Sequence, residues 1–354
     1  MARARTWAAL IALSAALAAL LVWLRAPAAL LLGPLLAGMA VASGGAKVSL
    51  PVPIFVVAQG IVGCLIAHMV PLSIVADVVA HWGLFSFGVI SVVAASTLLG
   101  WLMTRLRLLP GTTALWGTSP GAASVMTVMA ESHGADARLV ALMQYSRVLL
   151  VAAVAALIAH LFGGTSTASH AIDWFPKADT LALAETLALA VVGPVLARYL
   201  RIPAGAFLLP LVFGAVLVHF GWIAIELPPW LLAASYALIG WNIGLRFMRP
   251  LLIHSLRALP QIVLCALALI ALCGGIAMLM VHVAGVDPLT AYLATSPGGA
   301  DSIAIIAAST DVDVSFVMAM QTVRLIAVLF LAPVLTRFVA RRVVSVGSAH
   351  DRSS

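Results

Sequence analysis

From Leu259 to Val283 no Asp, Glu, Lys or Arg interrupts the chain, and a similar run fills Trp7 to Leu24. A helix of ~20 apolar residues matches the ~30 Å hydrocarbon core of a bilayer. Such runs recur along all 354 residues, of which 64% are hydrophobic and 9% charged. Soluble domains carry roughly 25% charged residues. The longest polar stretch, about 163–179, is too short for a soluble domain. The chain therefore reads as an all-α polytopic membrane protein.

The net charge of +7 does not argue for nucleic acid. Arg and Lys sit mostly in short loops at the ends of spans, where they set orientation. Cys64, Cys265 and Cys273 lie within apolar segments and form neither a disulfide framework nor a metal-ligand spacing. The nine His are scattered, and no His pair, P-loop or Ser-His-Asp order stands out. No enzyme, metal or cofactor is expected.

The chain repeats itself. Slid by 177 residues, Thr118–Arg147 matches Thr295–Arg324 at twelve of thirty positions, including the runs "TSPG" and "MQ" and the final Arg. "LRAPAALLLGP" at 24–34 likewise resembles "LRIPAGAFLLP" at 200–210. The N-terminal segment could pass for a signal peptide, but its internal copy marks it as the first span. Two membrane repeats follow, 1–177 and 178–354. Spans are expected at 7–24, 27–43, 53–70, 84–104 and 137–162, then at 180–199, 203–220, 229–248, 259–283 and 312–336. A broken segment is expected in each half, at 111–132 and 288–308.

The loop charges bear on whether the broken segments cross. If both turn back, each half has five crossings and the halves are inverted. With the N-terminus inside, fifteen Arg and Lys then fall inside, and Arg25 and Lys177 outside. If the segments cross, the loops with Arg198/Arg201 and Arg246/Arg249/Arg257 fall outside, against the positive-inside rule. The first arrangement is favoured: about ten transmembrane helices plus two re-entrant segments, as inverted five-helix repeats with both termini cytoplasmic.

A broken helix at membrane depth survives only inside protein or beside a watery cavity. Pro120 and Pro297 lack an N–H, and Gly121, Gly298 and Gly299 permit close approach or positive φ. The restarted helices present free N–H groups with a partial positive charge. Paired breaks at corresponding positions point to a transporter's binding site. Thr118, Ser119, Thr295 and Ser296 can cap these helices or bind a ligand. Arg147 and Arg324 lie within spans, where a charge is costly and faces a cavity or partner. Gln144 and Gln321 precede them by three residues and share their helix face. Two Arg and two helix N-termini suit a carboxylate or phosphate. The alternative is structural: Arg can pair with carbonyls at the break, or with Asp301. Asp301, which replaces Ser124 of the first half, can instead bind Na⁺ or a proton. Asp136 and Asp313 read as helix caps. Glu185 reads as a proton site or an interfacial residue, and Gly240 with Gly244 as a close helix contact.

The segments "TSPGAASVMTVMAESHGAD…QYSR" and "TSPGGADSIAIIAASTDVD…QTVR" resemble the AbrB family of bacterial membrane proteins, over essentially the whole chain. The resemblance brings the labels of regulator of gene expression and of ammonia monooxygenase, and a bacterial inner-membrane location. The layout is similar to the glutamate:sodium and 2-hydroxycarboxylate symporters, with TSPG where the citrate-type carriers have GGxG. The expectation is a secondary-transporter-like protein binding a small anionic, carboxylate-type solute between two broken helices, coupled to Na⁺ or H⁺. The alternative is a membrane-embedded regulator or sensor. The expected partners are the lipid bilayer and the solute, not nucleic acid directly, and a homo-oligomer is compatible with this.

Overall fold

A computed structural model describes residues 2–24, 26, 28–46, 48–106, 108–119, 126, 130–131, 134–162, 173–202 and 205–328. The described residues are helical, without strands. In the first half the helices are α1 (Ala2–Trp23), α2 (Ala29–Ser43), α3 (Val52–Met69), α4 (Ile74–Ala80), α5 (Trp82–Arg105), α6 (Thr113–Thr118) and α7 (Ala137–Phe162). In the second half they are α8 (Thr180–Tyr199), α9 (Gly205–His219), α10 (Pro229–Gly244), α11 (Arg249–His254), α12 (Leu259–Ala284), α13 (Pro288–Thr295), α14 (Ala300–Ala308) and α15 (Val314–Val328).

Seven of the described helices are long and apolar enough to cross a membrane, counting α10 and α11 together. That is the make-up of a polytopic membrane protein. Each of the ten expected spans coincides with a helix over its described residues; 329–336 of the last span lie outside them. The matches for 27–43 and 203–220 are shorter than expected: α2 and α9 have 15 residues each, about 22 Å at 1.5 Å per residue. The span expected to run to 248 also ends early, at Gly244, before the short helix α11.

Local chemistry explains several boundaries. Pro stands in the first turn of α3, α10, α12 and α13, where its missing N–H would have no helical partner. Asp179 caps α8 by accepting from Leu181 N at 3.0 Å. Asp136 caps α7 through Arg138 N and Leu139 N, and Asp313 caps α15 through Phe316 N, as the sequence suggested. Pro34, Pro194 and Pro210 lie inside α2, α8 and α9, which membrane helices tolerate when neighbours satisfy the freed groups.

The chain divides into two compact units, and neither follows the halves. Unit 1 takes residues 1–81, 152–249 and 299–319; unit 2 takes 82–151, 250–298 and 320–354. In unit 1, α2 packs against α1 and α10, while α9 packs against α8 and α3. The counterparts at a spacing of 177 are α1 with α8, α2 with α9, and α3 with α10. Each half thus lends its third helix to the second helix of the other. Close approach makes this packing possible. A Cβ on Gly240 would stand 2.6 Å from Leu31 O in α2, and one on its counterpart Gly63 would stand 2.6 Å from Phe207 O in α9. Gly244 meets Leu35 O in the same way, at 2.2 Å, so the Gly240–Gly244 pair is the close helix contact expected of it. Glu185 Oε2 accepts from Ala224 N at 3.0 Å, which ties α8 to the segment before α10.

In unit 2, α5 packs against α6 and α12, and α12 against α13. The joint between α5 and α12 is built on Val92, Leu269 and Cys273, with Ala95, Leu99 and Ile276 beside them. The pairs α5–α6 and α12–α13 are again counterparts.

Candidate functional site

A helix ends with carbonyls that have no partner, and in a bilayer no water supplies one. That problem falls on the ends of α6 and α13. The second break is fully outlined: α13 ends at Thr295 and α14 begins at Ala300. After α6 the chain is described to Ser119; Pro120 and Gly121 lie outside the described residues, as does the side chain of Asp301.

At the second break, Gln321 Nε2 donates to Leu293 O at 2.7 Å and to Ser296 O at 3.3 Å. Arg324 Nη1 donates to Ser296 O, and Nη2 to Gly298 O at 3.0 Å. At the first break, Gln144 Nε2 donates to Trp116 O at 3.1 Å and to Ser119 O at 3.0 Å. Arg147 Nη1 donates to Thr118 O and Ser119 O, both at 3.2 Å. All four side chains are buried. The three-residue spacing sets Gln and Arg on one face of α7 and of α15, aimed at the last turn of the broken helix. The guanidinium charge also opposes the negative end of that helix's dipole.

The arrangement is the structural alternative weighed for the arginines: they pair with carbonyls at the break. The hydroxyls turn inward too. Thr118 Oγ1 donates to Ala114 O and Thr295 Oγ1 to Ala291 O, both at 2.9 Å. Ser296 Oγ donates to Leu293 O at 3.1 Å. Gly299 is extended, with φ −73°, so the expected positive φ is not used there. Its place is the N-cap of α14, where its carbonyl accepts from Ile303 N at 3.0 Å.

Among the described residues at these breaks, the buried Arg147 Nε, Gln321 Oε1 and Tyr292 Oη have no hydrogen-bond partner. Arg147 also borders a small void of about 10 Å³, room for about one water molecule, together with Gly117, Thr118, Met143, Ile262, Cys265, Ala266 and Leu269. Sequence reasoning missed that void, because half of its wall comes from α12, far along the chain. It also missed Asp287, which caps α13 through Thr290 N at 2.9 Å. The "DP" pair before an apolar run was the available signal. Among the described residues no group of three or more His, Cys, Asp or Glu could hold a metal ion.

The family described as transition state regulatory protein AbrB matches residues 30–340. The chain is 43% identical to the protein named "Putative regulator AbrB" of Escherichia coli (strain K12), over 94% of this chain and 96% of that one. It is 29% identical to the uncharacterized protein YhjN of Bacillus subtilis (strain 168), over 78% and 76% of the two chains. No solved structure matches it. With one family spanning nearly all of both halves, the chain belongs to the AbrB family.

Proposed function

We propose that this protein is a secondary-transporter-like protein of the bacterial inner membrane, holding a small carboxylate-type anion at the breaks in unit 2. The observation that carries this reading is the buried guanidinium of Arg147, whose Nε–H has no partner among the described residues. A buried charge is expensive, and a full complement of protein partners would be expected of a purely structural one. The paired breaks, the repeat and the exchange of helices between halves support inverted five-helix repeats with re-entrant segments. The loop charges support cytoplasmic termini. Thr118, Ser119, Gln144 and Arg147 with Thr295, Ser296, Gln321 and Arg324 form the frame of the site; Gly298 and Gly299 lie between α13 and α14, and Gly121 and Asp301 complete the proposed set. Movement of the solute is coupled to Na⁺ or H⁺.

Uptake into proteoliposomes across a panel of carboxylates tests this. Accumulation of at least one carboxylate, dependent on a Na⁺ or proton gradient, is expected. A panel with neither uptake nor thermal stabilisation contradicts it. The name of the Escherichia coli relative favours a second reading, a membrane-embedded regulator. Co-purification of a soluble partner through the C-terminal tail, without any uptake, would favour that reading.

A further inference from the structure

Between α10 and α12 stands a short helix that the breaks do not use. α11 (Arg249–His254) has no buried residue, and six residues are too few to hold a helix in water by themselves. Its winding continues toward α12: Ser255 N donates to Leu251 O at 3.1 Å, and Leu259 N to Ser255 O at 2.9 Å. At 3.6 residues per turn, Arg249, Ile253, Leu256 and Arg257 share one side of this winding. All four are exposed, Ile253 by 57% and Leu256 by 58%, while Ser255 on the other side is buried. His254 ties the helix to the start of α7, its Nε2 3.6 Å from Asp136 Oδ2. No Asp or Glu occurs between Glu226 and Asp287, so the stretch itself brings no carboxylate to the arginines.

The first half carries the counterpart, α4 (Ile74–Ala80). It too has no buried residue, and Val75 and Val79 are 59% and 68% exposed. Yet 71–83 has no Lys or Arg: Leu72 and Ala80 stand where the second half has Arg249 and Arg257. Both copies present apolar side chains, and one adds a pair of cations.

We propose that the exposed side of α11 and the turn after it is a docking surface for anionic phospholipid, with Ile253 and Leu256 at the acyl boundary and Arg249 and Arg257 on headgroup phosphate. Apolar side chains beyond a span are covered when they lie at the bilayer boundary. Arginines beside them lay their stems along apolar surface and keep their heads at the headgroups. There the guanidinium fork matches phosphate oxygens. Each arginine near an anionic surface raises affinity about fivefold. A soluble acidic ligand would meet the cations but leave Ile253 and Leu256 uncovered.

The test uses the full chain, purified in a neutral detergent. Thermal unfolding is followed as phosphatidylglycerol, phosphatidylcholine with the same acyl chains, or glycerol phosphate is added. Phosphatidylglycerol is expected to stabilise at a concentration at least about tenfold below that of phosphatidylcholine, and glycerol phosphate to have no effect. Arg249→Gln with Arg257→Gln is expected to abolish that preference. Arg5→Gln with Arg198→Gln removes the same charge from other exposed positions and is expected to keep it. If the α11 variant does not fold, a nitroxide on Ile253→Cys decides, since the three natural cysteines are buried. In phosphatidylglycerol nanodiscs, oxygen is expected to relax it more than a water-soluble nickel chelate does; the reverse overturns the inference. Equal stabilisation by the two lipids overturns it as well, as does a folded α11 variant that keeps the preference or an Arg5/Arg198 variant that loses it. Stabilisation by glycerol phosphate alone would mark a soluble ligand and overturn it too. The proposed transport stands or falls separately, on uptake.

Discussion

The first break and the second share TSPG, Gln and Arg, yet the Gln–Arg pair is used differently at each. At the second, Arg324 through its two Nη atoms and Gln321 through Nε2 donate to the carbonyls of residues 293, 296 and 298. At the first, Gln144 accepts from Arg147 as well as donating to the chain, and the guanidinium Nε–H has no partner among the described residues. A duplicated motif therefore fixes the break twice, with the arginine shared differently at the two copies.

The largest effect should come from removing either arginine. Each leaves buried carbonyls unsatisfied, and hydrogen bonds to charged groups contribute about 1.5–3 kcal/mol apiece. Arg147→Ala and Arg324→Ala should each lose roughly 3–5 kcal/mol in detergent unfolding, with the Lys variants recovering only part because a single ammonium cannot fork between two acceptors. Losses below about 1 kcal/mol would mean that the clamps are not what holds the breaks.

The glutamines separate the two breaks more finely. Gln144→Met removes a bond to a charged partner that Gln321→Met does not, so the first should cost about 1.5–3 kcal/mol more. Equal losses would erase the distinction between the sites.

Next comes Gly100. A Cβ there would stand 2.2 Å from Thr118 Oγ1 and 3.1 Å from Leu115 Cα. Gly100→Ala should cost about 1–3 kcal/mol by overpacking. Its counterpart, Ala277, already carries that methyl at the second break. A neutral result would show that α6 can shift freely against α5.

The caps should respond least and alike. Asp136→Ala and Asp313→Ala should each cost about 1 kcal/mol, since both accept from the first turn of the helix that carries the Gln–Arg pair. A marked difference would place the asymmetry of the breaks upstream of Gln and Arg.

Much of this was legible in the amino-acid letters, for reasons that differ by feature. The spans were readable because hydrocarbon thickness sets the length of an apolar run. The second break was readable because Pro297 cannot continue a helix. The residues that matter, Arg147 and Arg324, stood out as charges inside spans. What they touch did not, because their acceptors are backbone carbonyls, which every residue carries. The grouping of helices was hidden too. Lipid is as apolar as the core, so α2 and α9 show no buried stripe that names α10 and α3 as neighbours. The wall of the void from Ile262 to Leu269 reads as one more stretch of apolar span.

The most direct test of the division between the breaks is a titration of the arginine side-chain N–H signals by NMR. The full chain would be labelled at arginine with ¹⁵N, and the Nε–H resonances of Arg147 and Arg324 assigned through their Lys variants. Adding the carboxylate that the uptake panel identifies is expected to move the Arg147 Nε–H signal in a saturable way and leave that of Arg324 in place. A shift at Arg324 alone, or no shift at either, would contradict the assignment of the solute to the first break.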